Sequence, residues 1–136
     1  MGKIVRQFKS FVMCASLGTC AAIMAVSILS TAGQAQTSGK HGRELFDKRC
    51  GGCHALDRDK EGPRLAGVYG RAAASIASFD YSAGLKNSHI TWTDETLEKW
   101  LADPEKLVPD NDMTFHVQSA DERREIIAFL KQNSGK

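Results

Sequence analysis

The sequence predicts an all-α domain of four to five helices joined by long loops, standing behind an N-terminal export segment. Three observations predict it. Short segments carry apolar residues at helical spacing and begin at capping residues. No segment alternates convincingly as a strand. The stretches between helices contain Gly and Pro and have no sustained period, as loops do. The chain has 136 residues, 42% of them hydrophobic, enough for one domain with a packed core. No internal repeat and no low-complexity segment is visible after Lys40.

The first 35 residues read as a leader. Lys3, Arg6 and Lys9 form a basic start, and Phe11 to Leu29 is apolar or small without a charge. Gly33 and Ala35 are small residues at the two positions a signal peptidase reads, so cleavage is expected after Ala35. The alternative is an uncleaved membrane anchor, because the apolar run approaches the roughly 20 residues a spanning helix needs. The domain proper is then 36–136. The whole chain has a formal charge of +2. The leader holds three of the 18 basic residues and none of the 16 acidic ones, which leaves 15 bases against 16 acids, or −1. No basic run remains to bind nucleic acid.

The helices follow in order. Gly42 to Lys48 places Leu45 and Phe46 on one side and Arg43, Asp47 and Lys48 elsewhere. Leu56 to Ser78, with Pro63 and several glycines, is loop. Ser82 to Asn87 is a short helix. Thr93 is an N-cap with Asp94 and Glu95 in the first turn, where acids complement the helix dipole. Leu97, Trp100 and Leu101 share that helix's apolar face. Pro104 ends it and opens another short helix through Leu107, preceded by Asp103. Pro109 to Val117 is loop. Ser119-Ala120-Asp121-Glu122 has the form of a capping box and opens a last helix with Ile126, Ile127, Phe129 and Leu130 on one face.

The chemistry centres on CGGCH, Cys50 to His54. Cys14 and Cys20 fall in the leader, so Cys50 and Cys53 are the cysteines of an exported chain. They could simply pair in an oxidising compartment. A structural zinc site needs about four ligands, and no second CxxC half exists. A thioredoxin-like pair expects a βαβ setting, which is not visible. The reading that remains is covalent haem attachment, for which C-x-x-C-H is the sequence form. Both thiols add to the haem vinyl groups, and His54 reaches the iron from the same turn. One haem c per chain also supplies an apolar body for the loops to wrap. A chain near 100 residues buries only about two-thirds of its unfolded surface, so such a body adds stability.

Four side chains compete for the second axial position. His41 lies close in sequence to the anchor, His89 sits in a polar loop, and His116 is a stronger rival. Met113 is the sharpest candidate, since Met1, Met13 and Met24 all lie in the leader. His/Met ligation raises the haem potential and closes the iron, which suits electron transfer rather than oxygen or peroxide chemistry.

From about Gly42 to Lys131 the chain resembles the class I cytochromes c, of the small soluble mitochondrial and α-proteobacterial type. Gly42, Phe46, Cys50, Cys53 and His54 match the family's first helix and haem anchor. In "GPRLAGVYGR", Pro63 resembles the proline whose carbonyl accepts the ligand histidine's Nδ1 hydrogen, and Arg71 the arginine near the inner propionate. "FDYSAGLKNSHITW" places Tyr81 and Trp92 at the propionate hydrogen-bond donors. "WLADPEKLVPDNDMTF" carries Met113 at the axial ligand and Phe115 at the exposed haem edge. Phe129, in "IIAFLK", resembles the terminal-helix aromatic that packs on the first helix near Gly42 and Phe46. The resemblance implies a periplasmic monohaem electron carrier, not an enzyme. It would act as a monomer between redox-protein donors and acceptors, among them membrane complexes, and would be held at the inner membrane if the leader is uncut.

The sequence also departs from the family. Asp110, Asn111 and Asp112 replace the usual glycine-threonine-lysine run before the methionine. Trp100 stands where the family often has a tyrosine near the methionine sulfur, and either donation to that sulfur or plain core packing would explain it. Glu44, Glu105 and Asp112 are acidic at positions where lysines commonly ring the haem edge, while Arg49, Lys86 and Lys106 stay basic. The expected docking face is therefore of mixed charge. A rival reading from another class is a haem enzyme or gas sensor with an open iron, Met113 being merely nearby.

Overall fold

Capping and apolar spacing set the helix pattern. The structure, a computed structural model, describes residues 31–135. The apolar run 11–29 lies outside the described residues. Five helices appear in the order α1 (Thr31–Arg49), α2 (Ala83–Asn87), α3 (Asp94–Ala102), α4 (Pro104–Leu107) and α5 (Ala120–Gln132). No strand is formed among the described residues. A single antiparallel bridge joins Ala72 to Thr91. No helix among them is long and apolar enough to cross a membrane.

The caps work largely as the sequence predicts. Thr93 Oγ1 accepts from the Thr96 N–H, and Thr96 Oγ1 returns the bond from the Thr93 N–H at 2.7 Å. Asp103 caps α4 through the Lys106 N–H, with Pro104 in its first turn. Ser82 caps α2 through the Leu85 N–H. Two expectations change. The first helix begins at Thr31, eleven residues before the predicted Gly42. At α5 the box is only half made. Ser119 Oγ accepts from the Glu122 N–H, but the Glu122 carboxylate takes a two-point bond from Arg49 on α1 instead of turning back to the cap. A partner on another helix outcompetes a local backbone donor because the bidentate ion pair is the stronger bond.

The core is what the three apolar faces require. Leu45 and Phe46 of α1, Leu97, Trp100 and Leu101 of α3, and Ile126, Ile127, Phe129 and Leu130 of α5 are all buried in one cluster. At the α1–α5 crossing the two backbones approach closely. A Cβ on Gly42 would lie 2.6 Å from the Glu125 carbonyl oxygen and 2.9 Å from Phe129 Cβ, so only glycine permits the approach. The Phe46 and Phe129 rings meet at 5.3 Å, tilted by 45°. The 109–118 loop is tied down at its end by Val117, 2% exposed, whose N–H donates to Leu101 O at 2.7 Å. The 55–81 loop folds back on the anchor through Leu65 N–H to Ala55 O and Ala66 N–H to Leu56 O. It reaches α5 through Gly67 N–H to Asn133 O.

The crossing makes a prediction. Gly42→Ala should lower the unfolding free energy by about 1–3 kcal/mol, the usual penalty of overpacking against backbone. Gly39→Ala, one turn earlier, meets only the flexible end of Gln132 at 3.0 Å and should be neutral or slightly stabilising, since alanine is the better helix former. Urea unfolding of both variants checks this, and equal losses would mean that close approach at Gly42 is not the constraint.

Candidate cofactor-binding site

The anchor begins where α1 ends. Cys50 N–H and Gly51 N–H both donate to Phe46 O, then Cys53 N–H and His54 N–H both donate to Cys50 O. The helix thus runs into one further turn that carries both thiols and the imidazole. Neither cysteine is in a disulfide. Burial, with the neighbouring Cys53 adding to it, pushes the Cys50 thiol up to about 11. A protonated thiol is the opposite of the lowered thiol of a redox pair. Among the described residues no group of three or more His, Cys, Asp and Glu side chains could hold a metal ion.

His54 is oriented by the loop that folds over it. Its Nδ1 lies 2.8 Å from the Pro63 carbonyl oxygen. A carbonyl can only accept, so Nδ1 carries the hydrogen and Nε2 keeps its lone pair. Burial lowers the His54 pKa, against the opposing pull of the Pro63 carbonyl and with a smaller lowering by Lys60. The ring is neutral at pH 7, the form that ligates a metal. Gly62 makes room for it, since a Cβ there would stand 2.2 Å from His54 Cε1. Lys60 Nζ closes the turn by donating to the Gly51 and Gly52 carbonyls at 2.5 and 2.7 Å.

The Ala72–Thr91 bridge brings two more candidates together. Trp92 N–H donates to Arg71 O at 3.0 Å, and Gly70 N–H donates to Trp92 O at 2.7 Å. The half-buried Arg71 guanidinium donates to Ala66 O and Arg64 O, both at 3.1 Å. Burial lowers its pKa, yet an arginine remains charged. Burial raises the Tyr81 pKa while Arg71 pulls it down, so the two side chains sense each other. The Tyr81 ring also meets Phe79 edge-on at 4.9 Å.

Trp92 continues into the second candidate ligand. Its ring meets Trp100 edge-on at 5.3 Å, and Trp100 Nε1 donates to Met113 Sδ at 3.2 Å. Trp100 is both a core residue, 7% exposed, and a donor to the sulfur, so the two explanations offered by the sequence hold together. The three histidines that rival Met113 are exposed. His116 lines a shallow cleft with Arg49, Val117, Gln118, Ser119 and Glu122. Phe115 is the large hydrophobic side chain that stands out, 44% exposed.

The donor set fits haem: two free thiols and a neutral imidazole on one turn, a thioether held by an indole N–H, and a cation within electrostatic reach of a phenol. Sequence reasoning missed the supports. Gly62, Lys60, Gly84, Asn111 and the bonding of Glu105 to its own loop are invisible as motifs, because each acts on a partner that only the folded loops bring near. It also read Arg49 and Lys86 as docking bases. They are engaged within the chain, Arg49 by Glu122 at 2.9 Å and Lys86 by Asp80 at 2.8 Å.

Comparison with known proteins agrees with this geometry. The cytochrome c family model matches residues 39–134. Cytochrome c 2.1 of Caenorhabditis elegans is 40% identical over 98 residues, covering 70% of this chain and 88% of that protein. Cytochrome c of Euglena viridis is 39% identical over 95 residues, 68% of this chain and 93% of that protein. Among solved structures, cytochrome cH from Methylobacterium extorquens superposes with a TM-score of 0.66 at 35% identity, covering 69% of this chain and 97% of that one. The chain belongs to the cytochrome c family, electron carriers with covalently held haem c that work between redox proteins.

Proposed function

We propose that this electron carrier is exported to the periplasm, with cleavage after Ala35, and holds its single haem between His54 and Met113. Cys50 and Cys53 would form the two thioethers, Pro63 would orient His54, and Arg71, Tyr81 and Trp92 would serve the propionates. The observation that carries the reading is that each candidate ligand has a dedicated hydrogen bond: His54 Nδ1 to Pro63 O, and Trp100 Nε1 to Met113 Sδ. Haem c supplies one-electron oxidation and reduction when bound. The protein's part is to keep both ligands in place in either state, so that little rearranges during transfer. The Pro63 carbonyl fixes the imidazole tautomer and raises its basicity. The Trp100 N–H draws electron density from the sulfur. Arg71 supplies positive charge, and propionates need such a partner because an unpaired buried charge is costly.

Three outcomes test these roles. Replacing Cys50 or Cys53 with Ala should leave at most one thioether and little stable holoprotein, and the double change none. Intact mass of protein from cells reports both haem attachment and the leader cut, and a normally coloured double variant would remove the anchor assignment.

Met113→Ala should lower the potential and let the reduced protein bind carbon monoxide, while His116→Ala should do neither. Unaltered wild-type protein should show almost no spectral change with carbon monoxide at neutral pH. A rapid change would favour an open iron and a sensing role.

Asp112 is exposed and directly precedes Met113. Asp112→Lys should change association with the redox partner more than it changes the potential. A rim charge is screened over roughly 8 Å at physiological salt, yet it still alters the encounter rate. Stopped-flow transfer at low and high salt decides, and a rate and salt slope equal to wild type would end the docking role.

A further inference from the structure

Glu105 is one of the acidic side chains that the sequence assigns to the docking rim. Its position in the fold points elsewhere. It stands in the first turn of α4 and both of its carboxylate oxygens are occupied by the loop that follows. Oε1 accepts from the Asp110 N–H at 3.3 Å, and Oε2 accepts from Asn111 Nδ2 at 3.1 Å. Asn111 Nδ2 also donates to Val108 O at 2.9 Å, and Asn111 Oδ1 accepts from the Met113 N–H at 2.8 Å. One carboxylate is thus linked to the Met113 backbone through a single amide side chain.

The loop needs such a brace. Asp110 has φ +59°, a left-handed conformation that a residue other than glycine keeps only when its surroundings impose it. Glu105 binds the N–H of that residue. On the other side, α2 presses against the same turn at Gly84, where a Cβ would lie 2.2 Å from Pro109 O and 2.9 Å from Asp110 O. The loop is therefore set between a glycine contact and a carboxylate, and it ends at the sulfur that Trp100 Nε1 meets at 3.2 Å. An acid braces these donors better than a neutral side chain, because a charged acceptor makes the stronger hydrogen bond.

We propose that Glu105 is a positioning residue for Met113: with Asn111 it sets the 108–113 loop so that the thioether stays seated. The proposal rests on Met113 as the axial ligand. Removing the carboxylate leaves the ligand in the chain but loosens the turn that presents it, so a competing ligand gains access. Glu105 still adds its charge to the surface field, but its side chain is committed within its own chain.

Imidazole titration of the ferric holoprotein tests this. Glu105→Ala should bind imidazole about three- to tenfold more tightly, the value of one partly exposed hydrogen bond. Glu105→Gln keeps one carbonyl acceptor and should fall between. Asn111→Ala should resemble Glu105→Ala, and the double variant should not exceed the larger single effect by much, because the two act in series. Glu95→Ala, an exposed acid on α3, should leave imidazole affinity as it is. In a Met113→Ala background the Glu105 change should have no effect. If Met113→Ala tightens imidazole binding and Glu105→Ala does not, the brace is wrong while the ligand assignment stands. A lowered urea midpoint with unchanged imidazole affinity has the same meaning, a purely structural role. An equal gain with and without Met113 also overturns the brace, since Glu105 would then act on access and not on the thioether. If Met113→Ala itself changes nothing, the ligand assignment falls and the brace falls with it.

Discussion

The close crossing of α1 and α5 is the constraint on which the rest of the molecule depends. Gly42 lets the Glu125 backbone and Phe129 come within contact, and the Phe46–Phe129 pair seals the junction. That junction fixes the direction in which α1 ends. CGGCH is the continuation of that end, so the placement of Cys50, Cys53 and His54 is decided by helix packing several residues away. Arg49 and Glu122 lock the same two helices at the rim. Ion pairs this exposed are individually weak, so the crossing rests on packing and the pair adds register.

The loops are held to this frame both by buried apolar side chains such as Val68, Val108 and Val117 and by polar bonds. The 55–81 loop returns to the anchor at Gly62, whose N–H donates to Cys53 O, and at Pro63, whose carbonyl receives His54. The bridge at Ala72 and Thr91 then turns the chain so that Arg71 and Trp92 stand next to each other. From Trp92 a line of contacts runs through Trp100 to Met113. The two candidate ligands are thus supported by separate pieces of chain. One support is a hydrogen bond from the other ring nitrogen, His54 Nδ1, and the other is a hydrogen bond donated to the sulfur. Such bonds orient a ligand and tune its donation, which is how a protein sets a metal's potential without touching the metal.

Charge at the surface has two uses that composition does not separate. Arg49 and Lys86 are basic residues tied to acids of their own chain, and Glu105 is an acid occupied by its own loop. Asp112 carries its charge to solvent next to Met113. A face that docks a redox partner by long-range steering responds to all of these charges. The 108–113 loop meets Glu105 directly, through the Asp110 N–H and Asn111 Nδ2.

The helices after residue 40 were legible in the sequence because their signals are local. Thr93, Asp103 and Ser119 are caps whose partners lie three residues on. Leu97, Trp100 and Leu101, and Ile126, Ile127, Phe129 and Leu130, are faces set by helical spacing. The C-x-x-C-H turn was legible too, since the spacing alone puts two thiols and an imidazole on one turn. What the sequence by itself determined is therefore an all-α domain with a haem-attachment turn and a lone candidate sulfur downstream. The tertiary structure decided the rest, because the remaining partners are distant in the chain. Glu122 leaves its local box for Arg49, 73 residues away, since a bidentate ion pair is stronger than a bond to one backbone N–H. Trp100 becomes a hydrogen-bond donor to the Met113 sulfur only when the 109–118 loop folds across α3. Glu105 becomes a brace only when Asp110 takes its left-handed turn. Local spacing predicts a helix, but a hydrogen bond between loops exists only after packing has brought its two ends within 3 Å or so.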